Sequence, residues 1–202
     1  GYLMSDTPLT LAEIASVFGE QLVFRKLLEA ETNPEEKKII LAKKIEDMIN
    51  TVIRQTAFLE FEKKVHAERR EKGELPTERI NEIWLEVQKE SLGDVFEYNE
   101  EYKYYWAYIP HFIHSPFYVY SYVFGDCLVN SLYSTYLKQP EGFQEKYIEM
   151  LKAGGTKRYD ELLKPFNLNP KDPNFWQNGL NVIIEMIDEL EKLVNNSGTK
   201  NV

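Results

Sequence analysis

A single cysteine, Cys127, occurs in the 202 residues. That excludes an internal disulfide and fits a reducing compartment, so a cytoplasmic location is expected. No run of eighteen apolar residues is present, so no segment is expected to span a membrane. The opening Gly1-Tyr2-Leu3-Met4-Ser5 has no basic stretch leading into an apolar one, so no secretory signal is read there. It also lacks an initiating methionine, which points to a piece of something longer. Positive charge is in deficit, with 24 Lys and Arg against 33 Asp and Glu and a formal net charge of −9. A partner with a phosphate backbone needs a basic face, so nucleic-acid binding is not expected. Internal repeats, Gly-rich phosphate loops and low-complexity tracts are all missing. Histidine is scarce too: His66, His111 and His114 are the only three, and no two stand at i, i+4.

What remains is the composition of an ordinary soluble globular protein, 43% hydrophobic and 28% charged. The length supports one sizeable core, read as a single helical domain over 1–195 followed by a polar, frayed tail over 196–202. Helical periodicity runs from Leu9 to Glu31, with Thr10 as N-cap and Glu13 three residues on, the spacing of a capping box. Pro34 suits a first helical turn, and Glu35 to about Glu71 reads as one very long helix, acidic at its start and basic at its end. Further helices are predicted from Thr77 to Ser91, from after Pro116 to about Leu137, from Glu141 to Lys152, at Tyr159–Leu163, and from Asn174 to about Asn195. Tyr98–Tyr108, rich in tyrosine alternating with charge, reads as strand-like or irregular. The class is all-α.

Two segments could carry chemistry. Ile109-Pro110-His111-Phe112-Ile113-His114-Ser115-Pro116-Phe117-Tyr118-Val119-Tyr120-Ser121-Tyr122 gathers two histidines and three tyrosines at the head of an apolar stretch. Phenols and imidazoles beside apolar walls can donate hydrogen bonds to a developing oxyanion. An aromatic core helix whose hydroxyls find partners is the other reading. In the second segment, Glu13 falls on the apolar side of the first helix, with Glu20 at i+7 on the same face. A carboxylate facing a core calls for a partner or a metal. The alternative is a capping carboxylate and a solvated glutamate. His66, among Lys63, Lys64, Glu68 and Arg69, reads as a surface residue.

Ser5-Asp6, Leu9 and Ala12-Glu13-Ile14-Ala15-Ser16-Val17-Phe18-Gly19-Glu20 resemble the segment that follows the zinc-binding helix in the oligoendopeptidase F branch of the thimet oligopeptidase family. Ile109-Pro110-His111-Phe112 and Ser115-Pro116-Phe117-Tyr118-Val119-Tyr120-Ser121-Tyr122 are similar to that branch's downstream catalytic segment. Gly154-Gly155, Asp172-Pro173-Asn174-Phe175-Trp176 and Gly179-Leu180 match its ending. The resemblance covers nearly the whole chain. It implies the multi-helical C-terminal part of a zincin-like metallopeptidase that hydrolyses short oligopeptides. It further implies zinc as cofactor, Glu13 as the third zinc ligand, and His111 and Tyr118, with Tyr122 less strongly, as groups that hydrogen-bond the reacting substrate. The H-E-x-x-H helix, source of the other two ligands and the general base, is absent from these residues and is expected upstream of Gly1. This chain alone is therefore expected to be inactive, to need the N-terminal part of the enzyme as partner, and to expose apolar surface that favours self-association. Where the family has an aromatic and a small polar residue, this chain has Ile113 and His114; His114 reads as a surface histidine, with an extra substrate contact as the alternative. Two other readings stay open: a non-catalytic helical module that binds a peptide or protein in a tyrosine-rich groove, and a family member that has lost its metal.

Overall fold

The computed structural model describes residue 11 and residues 13–198. Among them every regular element is helical and no strand occurs, as the periodicity predicts. The elements are α1 (Ile14–Ala30), α2 (Pro34–Ile49), α3 (Gln55–Lys72), α4 (Thr77–Leu92), α5 (His111–His114), α6 (Tyr120–Lys138), α7 (Phe143–Ala153), α8 (Tyr159–Leu163) and α9 (Pro173–Gly198), joined by shorter turns. The chain gathers into two compact units. The first takes in residues up to Met48 and from Phe124 onward; the second is Ile49–Val123.

The first unit is held by a stripe from each of several helices. Ile14 and Phe18 of α1, Phe124, Leu128 and Leu132 of α6, and Phe143 and Met150 of α7 are all buried in one cluster with Leu163, Phe166 and Phe175. Their spacings of four and seven place them on single helical faces. Each such side chain contributes about 1.5–3 kcal/mol on burial. Phe18 stacks on Phe143 at 5.7 Å and lies 4.6 Å from Tyr147, so α1 is fastened to α7 by rings. The predicted Thr10 cap lies outside the described residues. α9 persists to Gly198, past the Asn195 predicted from the apolar pattern.

In the second unit Ala57, Phe58 and Phe61 of α3 face Ile83, Trp84 and Val87 of α4, with Ile109 and Val119 in the same cluster. The predicted long helix is present from Pro34 to Lys72, but Asn50–Arg54 forms a π-helical turn within it. Thr56 marks that turn by donating its hydroxyl to the Val52 carbonyl at 2.6 Å. Gly73 ends α3 at φ 85°, a conformation few other residues adopt. Arg79 at the start of α4 bonds Glu68 of α3 through Nε and Nη2, and Glu82 and Glu86 through Nη1.

Glu100–Tyr108 corrects the sequence reading: it is a nine-residue 3₁₀ helix rather than strand-like or irregular. The Asn99 side chain caps it by accepting the Tyr102 N–H at 2.9 Å, and two glutamates occupy its first turn. With three residues per turn, Tyr102 and Tyr105 eclipse and stack at 5.1 Å. Side-chain periodicity alone could not separate this from a strand, because its tyrosines alternate with charge.

Gly179 of α9 sits where a Cβ would come within 2.9 Å of the Cys127 carbonyl oxygen and 3.1 Å of its Cα. The backbone of α6 cannot yield as a flexible side chain would. Gly179→Ala should destabilise the chain by about 1–3 kcal/mol, overriding the roughly 0.5–1 kcal/mol that Ala ordinarily gains in a helix. Urea unfolding followed by circular dichroism measures the sign; a stabilised variant contradicts the close approach.

Candidate functional site

The second unit brings His111, Tyr118 and Tyr122 together. Pro110 precedes α5, a single helical turn that ends when Ser115 N–H donates to the His111 carbonyl at 3.0 Å. Ser115-Pro116-Phe117 then reverses the chain, and Phe117 takes φ 61°, the left-handed region that a residue with a Cβ rarely enters. Tyr118 N–H donates to the Ser115 carbonyl, and the Tyr118 carbonyl accepts both the N–H and the hydroxyl of Ser121 at the head of α6. Buried Val119 anchors the turn. These local bonds return the chain so that Tyr118 stacks on the His111 ring at 5.8 Å and 27°. Tyr122, one helical turn later, meets the same ring edge-on, with 3.2 Å between its hydroxyl oxygen and His111 Nε2. The two phenols lie 5.3 Å apart by ring centroids. His111 is half-buried, while His114 points to solvent as read from the sequence.

Two residues that the sequence reading passed over or placed differently complete this surface. Glu62 of α3 is only 2% exposed. Its Oε1 accepts the Phe117 N–H at 2.8 Å, while its Oε2 is buried without a hydrogen-bond partner among the described residues. Burial pushes its carboxyl above the ordinary range, and the Phe117 N–H, His66 and His111 oppose that push. His66, expected on the surface, is half-buried with its ring 4.8 Å from that of Phe117. The signal for Glu62 was present: it lies four residues after Phe58 and one after Phe61, on the stripe that faces the core.

Glu13 belongs to the first unit, at the head of α1. It is half-buried, its carbonyl accepts the Val17 N–H at 3.0 Å, and its carboxylate lies 3.3 Å from the Ser16 hydroxyl. The carboxylate does not cap the helix N–H groups. Gly125 faces it closely enough that a Cβ there would lie 3.6 Å from Glu13 Cβ. Glu20 does not share its surroundings: it is exposed and pairs with Lys44 of α2 at 2.5 Å. Among the described residues no three His, Cys, Asp or Glu gather as a metal ion would require. No described helix is long and apolar enough to cross a membrane.

Asp126, next to Gly125, is a second carboxylate missed in the sequence, hidden within an apolar helix. Burial raises its carboxyl to about 6, opposed by the Lys44 charge and by Asn130, which donates to Oδ2 at 3.0 Å.

Residues 2–182 match Peptidase family M3, and the chain belongs to that family. Its relatives include oligoendopeptidases F, as the motifs implied. It is 30% identical to oligopeptidase PepF of Bacillus subtilis (strain 168) over 193 residues, which are 96% of this chain and 29% of that protein. It is 32% identical to an oligoendopeptidase F homolog of Borreliella burgdorferi over 182 residues, 90% of this chain and 31% of the relative. The crystal structure of oligoendopeptidase-F from Enterococcus faecium superposes with a TM-score of 0.84 at 28% identity, over 96% of this chain and 37% of that one. The chain thus spans about a third of the length of these relatives.

A folded-state carboxyl raised from 3.8 to about 6 keeps its proton where the unfolded chain has lost it. Between these values the native state binds more protons, so Asp126 favours folding at low pH and this contribution is lost as pH rises to about 6. Asp126→Asn cannot ionise. Its stability relative to the unmodified chain should therefore climb between pH 4 and pH 6.5, by on the order of 2–3 kcal/mol. Urea titrations of both chains across that range give the difference; a flat difference contradicts an Asp126 that ionises only near pH 6.

Proposed function

We propose that this chain is the C-terminal part of a cytoplasmic zinc metalloendopeptidase that hydrolyses short oligopeptides. In this reading Glu13 is one zinc ligand, and His111 and Tyr118, with Tyr122, bind the substrate's reacting carbonyl. The observation that carries it is the His111–Tyr118–Tyr122 cluster, in which one imidazole and two phenols from α5, the reversal after it and the head of α6 meet with ring centroids 5.3–5.8 Å apart. The membership in peptidase family M3 and the oligoendopeptidase F relatives supply the reaction class.

Glu13 offers a hard carboxylate oxygen of the type zinc accepts, half-buried and loosely held by Ser16. One carboxylate does not make a site, so the remaining ligands and the general base belong to the rest of the enzyme. Bound zinc would act as a Lewis acid toward a water or a carbonyl oxygen. This chain's own part is to receive charge. As the peptide carbonyl is attacked, its oxygen becomes anionic, and the Tyr118 hydroxyl donates a hydrogen bond to it. The stacked His111 holds that phenol in place and, when protonated, donates as well. The Tyr122 hydroxyl is already engaged with His111 Nε2, which suits it to orienting the imidazole.

In the complete enzyme Tyr118→Phe removes one hydroxyl and keeps the ring. Turnover should fall by roughly 10²–10³-fold with little change in KM, the pattern of an interaction made in the transition state. A rate within about threefold of the parent enzyme makes Tyr118 a wall residue and passes the role to Tyr122 or His111.

Glu13→Ala in the same enzyme should abolish or strongly reduce zinc content, since a three-ligand catalytic site has no spare donor. Metal analysis after dialysis reads this directly. The 202-residue chain by itself should neither hold zinc at sub-micromolar concentration nor cleave peptides. Tight zinc binding that Glu13→Ala removes would reveal further ligands within the chain.

A further inference from the structure

Glu62 is a buried acid that the peptidase reading leaves without a task. It lies on α3, 55 residues before the residue whose N–H it binds. That residue, Phe117, holds φ 61° at the reversal between His111 and Tyr118. A non-glycine residue there costs on the order of 1–3 kcal/mol and persists only if its surroundings impose it. Two contacts impose it here: the Phe117 N–H on Glu62 Oε1 at 2.8 Å, and the Phe117 ring against His66, one turn along α3 from Glu62. The second carboxylate oxygen is buried without a partner among the described residues. A polar side chain kept in a core at that cost does more than fill space.

We propose that Glu62 is the positioning residue of the His111–Tyr118–Tyr122 cluster: its carboxylate clamps Phe117 in the left-handed conformation and so sets the turn that presses the imidazole against both phenols. The inference rests on reading that cluster as substrate-facing. The titratable groups that face Glu62 are His66 on its own helix and His111 from the turn. A hydrogen bond to an ionised acceptor is worth about 1.5–3 kcal/mol, enough to balance the strain at Phe117.

The test uses isotope-labelled samples of the 202-residue chain. In the unmodified chain the Phe117 amide proton and the Glu62 carboxyl carbon should titrate with one midpoint, above the ordinary value of 4.5, the amide moving upfield as Glu62 takes a proton. Glu62→Leu replaces a buried acid with an apolar group, and if Glu62 only packed the core this would be neutral or stabilising. On the positioning reading the helices keep their circular dichroism, yet the Phe117 amide exchanges about tenfold faster or more and the His111–Tyr122 ring contacts vanish from the nuclear Overhauser spectrum. Glu62→Gln retains a carbonyl oxygen in place and should preserve both signals. Unchanged Phe117 protection and ring contacts in Glu62→Leu overturn the proposal, as does a Glu62→Gln that behaves like Glu62→Leu. Should Glu62→Leu not fold, the titration decides alone, and separate midpoints overturn the clamp. None of these measurements depends on catalysis. A complete enzyme indifferent to Tyr118→Phe would sink the catalytic role of that hydroxyl while leaving the clamp standing.

Discussion

A large aromatic side chain is favourable to bury only if its one polar atom finds a partner, and the second unit is built on that condition. Trp84 is 1% exposed, and its indole N–H reaches the Tyr102 carbonyl at 3.0 Å. Trp106 donates to Asn81 Oδ1 at 2.7 Å, and the Tyr102 hydroxyl to Gln88 Oε1 at 3.1 Å. Each bond joins α4 to the 3₁₀ helix over Glu100–Tyr108, an element with no buried residue of its own. That segment leads directly into Pro110 and α5. Partly buried Tyr102 and Trp106 pack on the same core, and the three bonds fix the orientation in which they do so, and with it the start of the His111 turn.

The same condition, applied to carboxylates, sorts the acids of this chain into two groups. Glu68 meets Arg79 and Lys72, and these cations hold its carboxyl down to about 2. Such an acid supports folding above its unfolded value near 4.5 and loses that support only in strong acid. Asp126 and Glu62 behave in the opposite sense, with desolvation as the largest influence on each. Among the described residues neither has a direct cationic partner. Both are withdrawn from water, where an ionised acid is tolerated rather than favoured. Acids of that kind are expected to cluster where a protein gives up stability for a task.

Much of the fold was legible because helical periodicity survives in the sequence. Pro34, Gly73 and Gly93 stand at the helix boundaries found. His111, Tyr118 and Tyr122 were legible as a group because residues within fourteen positions, broken by two prolines, have few ways to avoid one another. Three features were not. The π-helical turn at Asn50–Arg54 leaves the apolar spacing almost unchanged over one turn. The 3₁₀ helix is set by the Asn99 cap and the indole bonds to α4, of which the indole bonds are long-range. His66 was read from its charged neighbours Lys63, Lys64, Glu68 and Arg69, but its ring turns to Phe117, which is 51 residues away.

Phe117 draws these strands together through what a substitution there could not supply. Glycine would enter φ 61° without strain, which argues against phenylalanine if the turn alone mattered. Glycine also carries more conformational freedom in the unfolded chain, so ordering the turn would cost more. It would remove the ring that covers His66 and leave Glu62 with a bond to a looser backbone. Phenylalanine keeps the left-handed turn at a local cost and makes it depend on α3, through one ring contact and one charge-assisted hydrogen bond. The geometry of the His111 cluster is thereby tied to the core of its unit rather than to the turn that carries it.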